Sequence, residues 1–203
     1  MISRRTTLLG LGAGALATTP AAALVPTPRQ TPGPFYPDVL PRESDADLTR
    51  VGTGPQATGE VIEVAGRVLD PQGRPVPGGV VELWQANAWG RYAHSLDRRD
   101  APLDPAFQGF GVVRADAEGR YRFRTILPGL YPGRTRHLHF RFKAPGSEWV
   151  PTQMYFEGEP GNARDFLLQS VRDPRARDGL TVAFAPKGDE PSVAAGIFDI
   201  VIG

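Results

Sequence analysis

Arg136-His137-Leu138-His139-Phe140-Arg141-Phe142 alternates polar and apolar side chains from His137 onward. That period belongs to a β-strand, in which residues two apart share a face about 6.6–7 Å from each other. Leu138, Phe140 and Phe142 make the core face, and His137 and His139 stand together on the other. Two imidazoles so spaced can converge on one metal ion. A plainer reading makes them core histidines satisfied by backbone hydrogen bonds. It is the weaker one here, because the strand already has an apolar face without them.

Working outward, the same alternation recurs in Arg120 to Thr125, where Tyr121 and Phe123 interleave with Arg120, Arg122 and Arg124. Those arginines read as the solvent face of a strand. Turn chemistry bounds further strands over Val61–Leu69, Val80–Trp84, Gly111–Ala115, Thr152–Phe156, Thr181–Phe184 and Ile197–Ile202. Asp116-Ala117-Glu118-Gly119 reads as a hairpin turn. One short helix is expected from an Asn162 cap through Val171, with Phe166, Leu167 and Val171 facing inward. Many short strands and almost no helix predict an all-β, single-domain β-sandwich over 61–203. The connection Ala86 to Phe110 is long enough to suggest a functional loop. Residues 24–60 form an extended arm whose one ordered knot is Thr31-Pro32-Gly33-Pro34-Phe35-Tyr36-Pro37.

Residues 1–23 read as an export signal. Arg4-Arg5 precede the Gly/Ala-rich apolar run Leu8 to Ala17, and Ala21-Ala22-Ala23 offers a cleavage site. The paired arginines favour the twin-arginine route to a periplasmic or extracellular destination. Cleavage would leave about 180 residues, the size of one domain. The 203-residue chain has no cysteine, so thiolate metal sites and disulfides are excluded. A formal charge of +1 calls for neither nucleic acid nor a membrane surface as partner.

Three histidines are too few for most all-imidazole sites. Two histidines with one carboxylate, the arrangement of ferrous oxygenases, stays open. Near the His-x-His strand, however, stand Arg134, Arg136, Arg141 and the phenol of Tyr131. A phenol titrates near 10 and is a poor ligand until a hard cation deprotonates it. Iron(III) suits phenolate plus imidazole, and a second phenol, Tyr92, lies in Gln85-Ala86-Asn87-Ala88-Trp89-Gly90-Arg91-Tyr92-Ala93-His94.

Val81-Glu82-Leu83-Trp84-Gln85-Ala86-Asn87, Gly90-Arg91-Tyr92, Ala101-Pro102-Leu103-Asp104-Pro105, Phe123-Arg124-Thr125-Ile126, Tyr131-Pro132, His137-Leu138-His139-Phe140 and Gln153-Met154-Tyr155-Phe156-Glu157-Gly158 together resemble the intradiol ring-cleavage dioxygenases. The likeness runs in register over roughly residues 60–160, and is strongest to the iron-bearing subunit of the protocatechuate branch. It implies ferric iron bound by Tyr92, Tyr131, His137 and His139. It further implies Arg134 stabilising negative charge, Tyr131 as internal base, Gln153 lining the pocket and Trp84 as an aromatic wall. Thr31, Gly33 and Pro34 resemble a segment that borders the substrate from the partner subunit in two-subunit members. The implied substrates are a catechol-type aromatic diol and O2, and the implied product is a cis,cis-muconate-type diacid. A homo-oligomer is compatible with this.

Gly133 stands where protocatechuate enzymes have a tryptophan, which alters the pocket wall. His94 reads as a surface or supporting group, Met154 and Tyr155 as packing residues, and Arg98-Arg99-Asp100 as solvated. The alternative is a non-catalytic transthyretin-like or carboxypeptidase-regulatory-like binding module, which the turns around Gly66-Arg67-Val68 and Asp70 to Pro75 also resemble. Such modules have no use for Tyr92, Tyr131, Arg134, His137 and His139 together.

Overall fold

The computed structural model describes residues 23–203, so the expected export segment lies outside the described residues except for Ala23. The strands are β1 (Val61–Leu69), β2 (Val80–Trp84), β3 (Phe110–Arg114), β4 (Arg120–Ile126), β5 (His137–Lys143), β6 (Val150–Phe156), β7 (Thr181–Val182), β8 (Phe184–Lys187), β9 (Glu190–Ile197) and β10 (Ile200–Val201). Two short helices, α1 (Phe166–Ser170) and α2 (Pro174–Asp178), lie between β6 and β7. One sheet runs β3-β2-β5-β6-β7; the other runs β10-β1-β9-β8, with β4 on the free flank of β1. The chain is an all-β sandwich.

The core lies between the sheets. Val81 and Leu83 of β2, Leu138, Phe140 and Phe142 of β5 and Met154 of β6 face Val64 of β1 and Phe123 of β4. The Phe140 ring lies 5.1 Å from Phe198 and 6.3 Å from Phe123. Each such side chain, fully buried, stabilises the fold by about 1.5–3 kcal/mol. With β5 committed to this core, its histidines must sit on the outer face.

The Asp116–Gly119 turn does not close a hairpin. β3 pairs with β2 and β4 pairs with β1, so the turn carries the chain from one sheet to the other. Its local chemistry is that of a tight turn, with the Asp116 carboxylate accepting the Glu118 and Arg120 N–H groups. Those bonds set the turn but say nothing about which partner each strand takes. The expected helix over Asn162–Val171 is instead a 3₁₀ turn at Asn162–Arg164 followed by α1, capped by Asp165. Phe166, expected inside, is 64% exposed, and Leu168 is buried in its place. The Asp165 carboxylate restarts the helix three residues late and so rotates its inner face. The strand expected over Ile197–Ile202 is the end of β9 plus the separate β10, and β8 and β9 form an antiparallel pair.

The arm has no helix or strand of its own, yet it is stitched to both sheets. Leu48 N–H donates to Arg124 O, Arg124 N–H to Ala46 O, and Val112 N–H to Ser44 O, so residues 44–48 bridge the exposed edges of β4 and β3. Gln30 N–H donates to Pro151 O on β6. Covering both edges blunts strand-to-strand aggregation. It also lays the Thr31–Pro37 knot across the outer face of β2, β5 and β6. Among the described residues no helix is long and apolar enough to cross a membrane.

Candidate metal centre

The register of three strands builds half of the site. Trp84 is paired with His139, and His139 with Gln153, while His137 pairs with Tyr155. These side chains therefore stand side by side on one face. His137 Nδ1 donates to the Thr135 carbonyl at 2.7 Å, which leaves Nε2 as a bare lone pair. That Nε2 lies 3.2 Å from His139 Nε2 and 2.9 Å from the Tyr131 hydroxyl. Burial, helped by nearby Arg134, lowers the His137 pKa to about 4. Burial, then His137 and Arg134, push His139 well below the ordinary imidazole value. Both rings are neutral donors at neutral pH. Trp84 lies fully buried behind His139, its ring stacked at 5.1 Å and 12°.

Loops supply the other half. Gly90 (φ +77°) and Gly129 let the Tyr92 loop and the Tyr131 segment touch backbone to backbone. A Cβ on Gly90 would collide with Leu130 O, and one on Gly129 would collide with Gly90 N. Asn87 ties the two: its side chain accepts the Trp89 and Arg91 N–H groups, and its carbonyl accepts Gly129 N–H. Tyr92 is buried, its ring 5.8 Å from Tyr131 and 6.0 Å from His139. Its hydroxyl has no hydrogen-bond partner. Burial and the adjoining Tyr131 phenol raise the Tyr92 pKa well above its ordinary value. Burial also raises Tyr131, against the opposing pull of Arg134.

An unpaired buried phenol costs about 1–3 kcal/mol. Here it points into a cluster of two neutral imidazole nitrogens and a second phenol. Among the described residues no group of three or more His, Cys, Asp or Glu side chains is placed to hold a metal. The donors gathered here are of another kind, two phenols and two imidazoles, and they suit a hard trivalent cation such as ferric iron.

Beside the cluster Arg134 is held by a buried carboxylate. Its Nε donates to Asp165 Oδ2 at 2.8 Å and its Nη2 to Gln153 Oε1 at 2.6 Å, while Nη1 lies 3.5 Å from His137 Nε2. Burial alone would raise the Asp165 pKa, but Arg134 and the Leu168 and Thr135 N–H groups hold it below the usual carboxylate range. Gln153 in turn donates to Thr31 O at 3.0 Å. A Cβ on Gly33 would lie 3.3 Å from His139 Cε1. Thr31 and Gly33 thus reach the site from within the chain, and the adjoining Pro34 is exposed. His94 stays outside the cluster, its Nδ1 accepting Leu96 N–H.

Sequence reasoning missed three residues. Asp165 had a local signal, a carboxylate just before an apolar helical run. Tyr155 is more than packing, since its hydroxyl donates to Gln153 Oε1 at 3.2 Å. Arg99, expected to be solvated, is bidentate to Asp97 and lies over the Tyr131 ring. Neither of the last two carries a pattern that one sequence reveals. Arg134, Arg136 and Arg141 pair with Asp165, Glu159 and Glu82.

The Dioxygenase family matches residues 31–203. The protocatechuate 3,4-dioxygenase beta chain of Burkholderia cepacia is 46% identical over 81% of this chain and 73% of its own length. The chain belongs to the intradiol dioxygenase family. Catechol 1,2-dioxygenase of Pseudomonas sp. (strain EST1001) is 28% identical over 86% of this chain, which spans only 61% of that relative's length. Among solved structures, the dioxygenase domain of a dioxygenase carbohydrate-binding protein fusion from the cellulolytic bacterium Streptomyces sp. SirexAA-E is similar. It shares a TM-score of 0.67 and 34% identity over 88% of this chain and 98% of that one. These intradiol relatives leave the binding-module alternative without support.

Proposed function

We propose that this chain is a ferric dioxygenase that inserts both atoms of O2 into a catechol-type diol and opens the ring between the two hydroxyl-bearing carbons, giving a cis,cis-muconate-type diacid. The observation that carries the reading is the buried cluster of Tyr131 Oη, His137 Nε2 and His139 Nε2 with the unpartnered Tyr92 hydroxyl beside it. Tyr92, Tyr131, His137 and His139 would hold the iron, whose Lewis acidity and covalency make the chelated ring reactive towards O2.

The protein's own part follows from the geometry. Tyr131, the more exposed phenol, is the one placed to accept a proton from an incoming diol. Arg134 is fixed by Asp165 and Gln153 before substrate arrives, so its charge is preorganised where negative charge develops on the ring. Such a donor is commonly worth about 2.7–4 kcal/mol. Trp84 holds the His139 ring flat, and Gly33 brings arm backbone against that ring without a side chain in the way. Gly133 borders open space, since a Cβ added there would meet nothing within 4 Å, and this leaves room beside Arg134 for ring substituents.

Thr31 and Gly33 come from the same chain, so the part of the site they border needs no second subunit, and this is compatible with a homo-oligomer. The paired Arg4-Arg5 and the apolar run after them support export to the periplasm or beyond. Iron loading followed by oxygen uptake over catechol, protocatechuate, hydroxyquinol and caffeate tests the activity. The expected result is a coloured protein that consumes O2 with at least one of them. A colourless protein with no uptake would remove the reading.

A further inference from the structure

Arg99 is a cation in the site region that the chemistry above does not use. Its neighbours Arg98 and Asp100 are exposed, yet Arg99 is turned inward. Its Nε donates to Asp97 Oδ1 at 2.8 Å, and Nη2 pairs with Oδ2 of the same carboxylate. The Asp97 side chain is fully buried and also accepts the Tyr92 N–H at 2.8 Å. The guanidinium carbon lies 4.8 Å from the centre of the Tyr131 ring and 5.6 Å from that of Phe35, which is itself stacked on Tyr92 at 4.7 Å. One ion pair therefore touches the surroundings of both phenols, which come from loops far apart in sequence.

We propose that Arg99, pinned by Asp97, is a positioning residue that sets the orientation of the Tyr131 ring relative to the loop carrying Tyr92. The physical basis is direct. A guanidinium over an aromatic face is attracted by the ring quadrupole, and a bidentate carboxylate removes its freedom to leave. Tyr131 follows Pro128-Gly129-Leu130 and precedes Pro132-Gly133, a stretch without strand pairing to hold it. Asn87 and Gly90 hold the backbone of this segment through Gly129, and the Tyr131 hydroxyl bonds His137, the very contact that a metal would replace. Arg99 supplies a hold that survives metal binding.

The inference rests on the reading of the four side chains as an iron set, and the experiment separates the two. Iron-loaded protein is examined for its phenolate-to-metal absorption band and for the rate of iron loss to a chelator. The double variant Asp97→Asn/Arg99→Leu removes both charges and leaves neither unpaired. Expected are a displaced band and iron loss roughly two- to thirty-fold faster. Arg99→Lys keeps the charge on Asp97 but not the planar face, and is expected to move both readouts less, in the same direction. Arg98→Leu, at the exposed neighbour, is expected to match wild type in both. Coloured wild type with both Arg99 variants indistinguishable from it would overturn the role of Arg99 alone. Wild type that takes up no iron would overturn the iron reading and this inference with it.

Discussion

The two histidines and the two tyrosines arrive at one cluster by different means. His137 and His139 are carried on β5 between two paired neighbours, so the pleat aims them and the Leu138–Phe140–Phe142 core locks the strand in place. Tyr92 and Tyr131 sit on irregular segments, and what aims them is a set of glycine contacts, the Asn87 hub and buried ion pairs. The strand half is rigid by construction. The loop half depends on single carboxylates, Asp97 and Asp165, each serving an arginine and backbone N–H groups at once. The site has a floor held by strand pairing and a wall held by loop contacts.

Perturbing each half should show that difference. The largest effect is expected from the floor: His139→Ala removes one imidazole from a buried pair, and iron, colour and O2 uptake should all be lost. Metal analysis after loading checks it, and retained stoichiometric iron would deny His139 its role. Next comes the wall. Asp165→Asn leaves Arg134 buried without its counter-charge, a change that typically costs about 3–5 kcal/mol. A fall in melting temperature together with loss of turnover is expected, whereas full activity would mean that Gln153 alone holds Arg134.

Acid should act on the floor of the metal-free protein. His137 titrates at about 4 when folded against 6.5 ordinarily, so the unfolded chain takes up that proton first as pH falls. Stability is complete above pH 6.5 and declines down to about 4, by roughly 3 kcal/mol from this group. Denaturant titrations across that window, with His137→Gln as the reference that makes the slope shallower, provide the measurement. The smallest effect belongs to Phe166. At 64% exposed it lies outside the core, and Phe166→Ala should change stability by no more than about 0.5 kcal/mol, against about 2–5 kcal/mol for Leu168→Ala.

Legibility in the sequence tracks the same division. β1 and β2 are where turn residues place them, and β4 and β5 lie where alternation places them to within a residue, because a half-buried strand repeats every two residues whatever its partner. The His-x-His face was legible for that reason. The Asp116–Gly119 turn shows the limit: its hydrogen bonds are local and were foreseeable, but whether β3 and β4 pair with each other is settled by β1 and β2, which lie elsewhere in the chain. Asp165 and Arg99 show it again. Nothing near either residue announces that a carboxylate will be buried against Arg134, or that a guanidinium in an Arg-Arg-Asp run will turn inward onto Tyr131.

By itself, then, the sequence determined most of the strands, the core face of β5, the absence of thiolate chemistry and the donor types available, all properties of short-range periodicity and composition. Only the tertiary structure decided which strands pair, how the arm crosses both sheet edges, and that Tyr92, Tyr131, His137 and His139 meet. Those are long-range contacts, made between segments whose local preferences are indifferent to one another until packing brings them together.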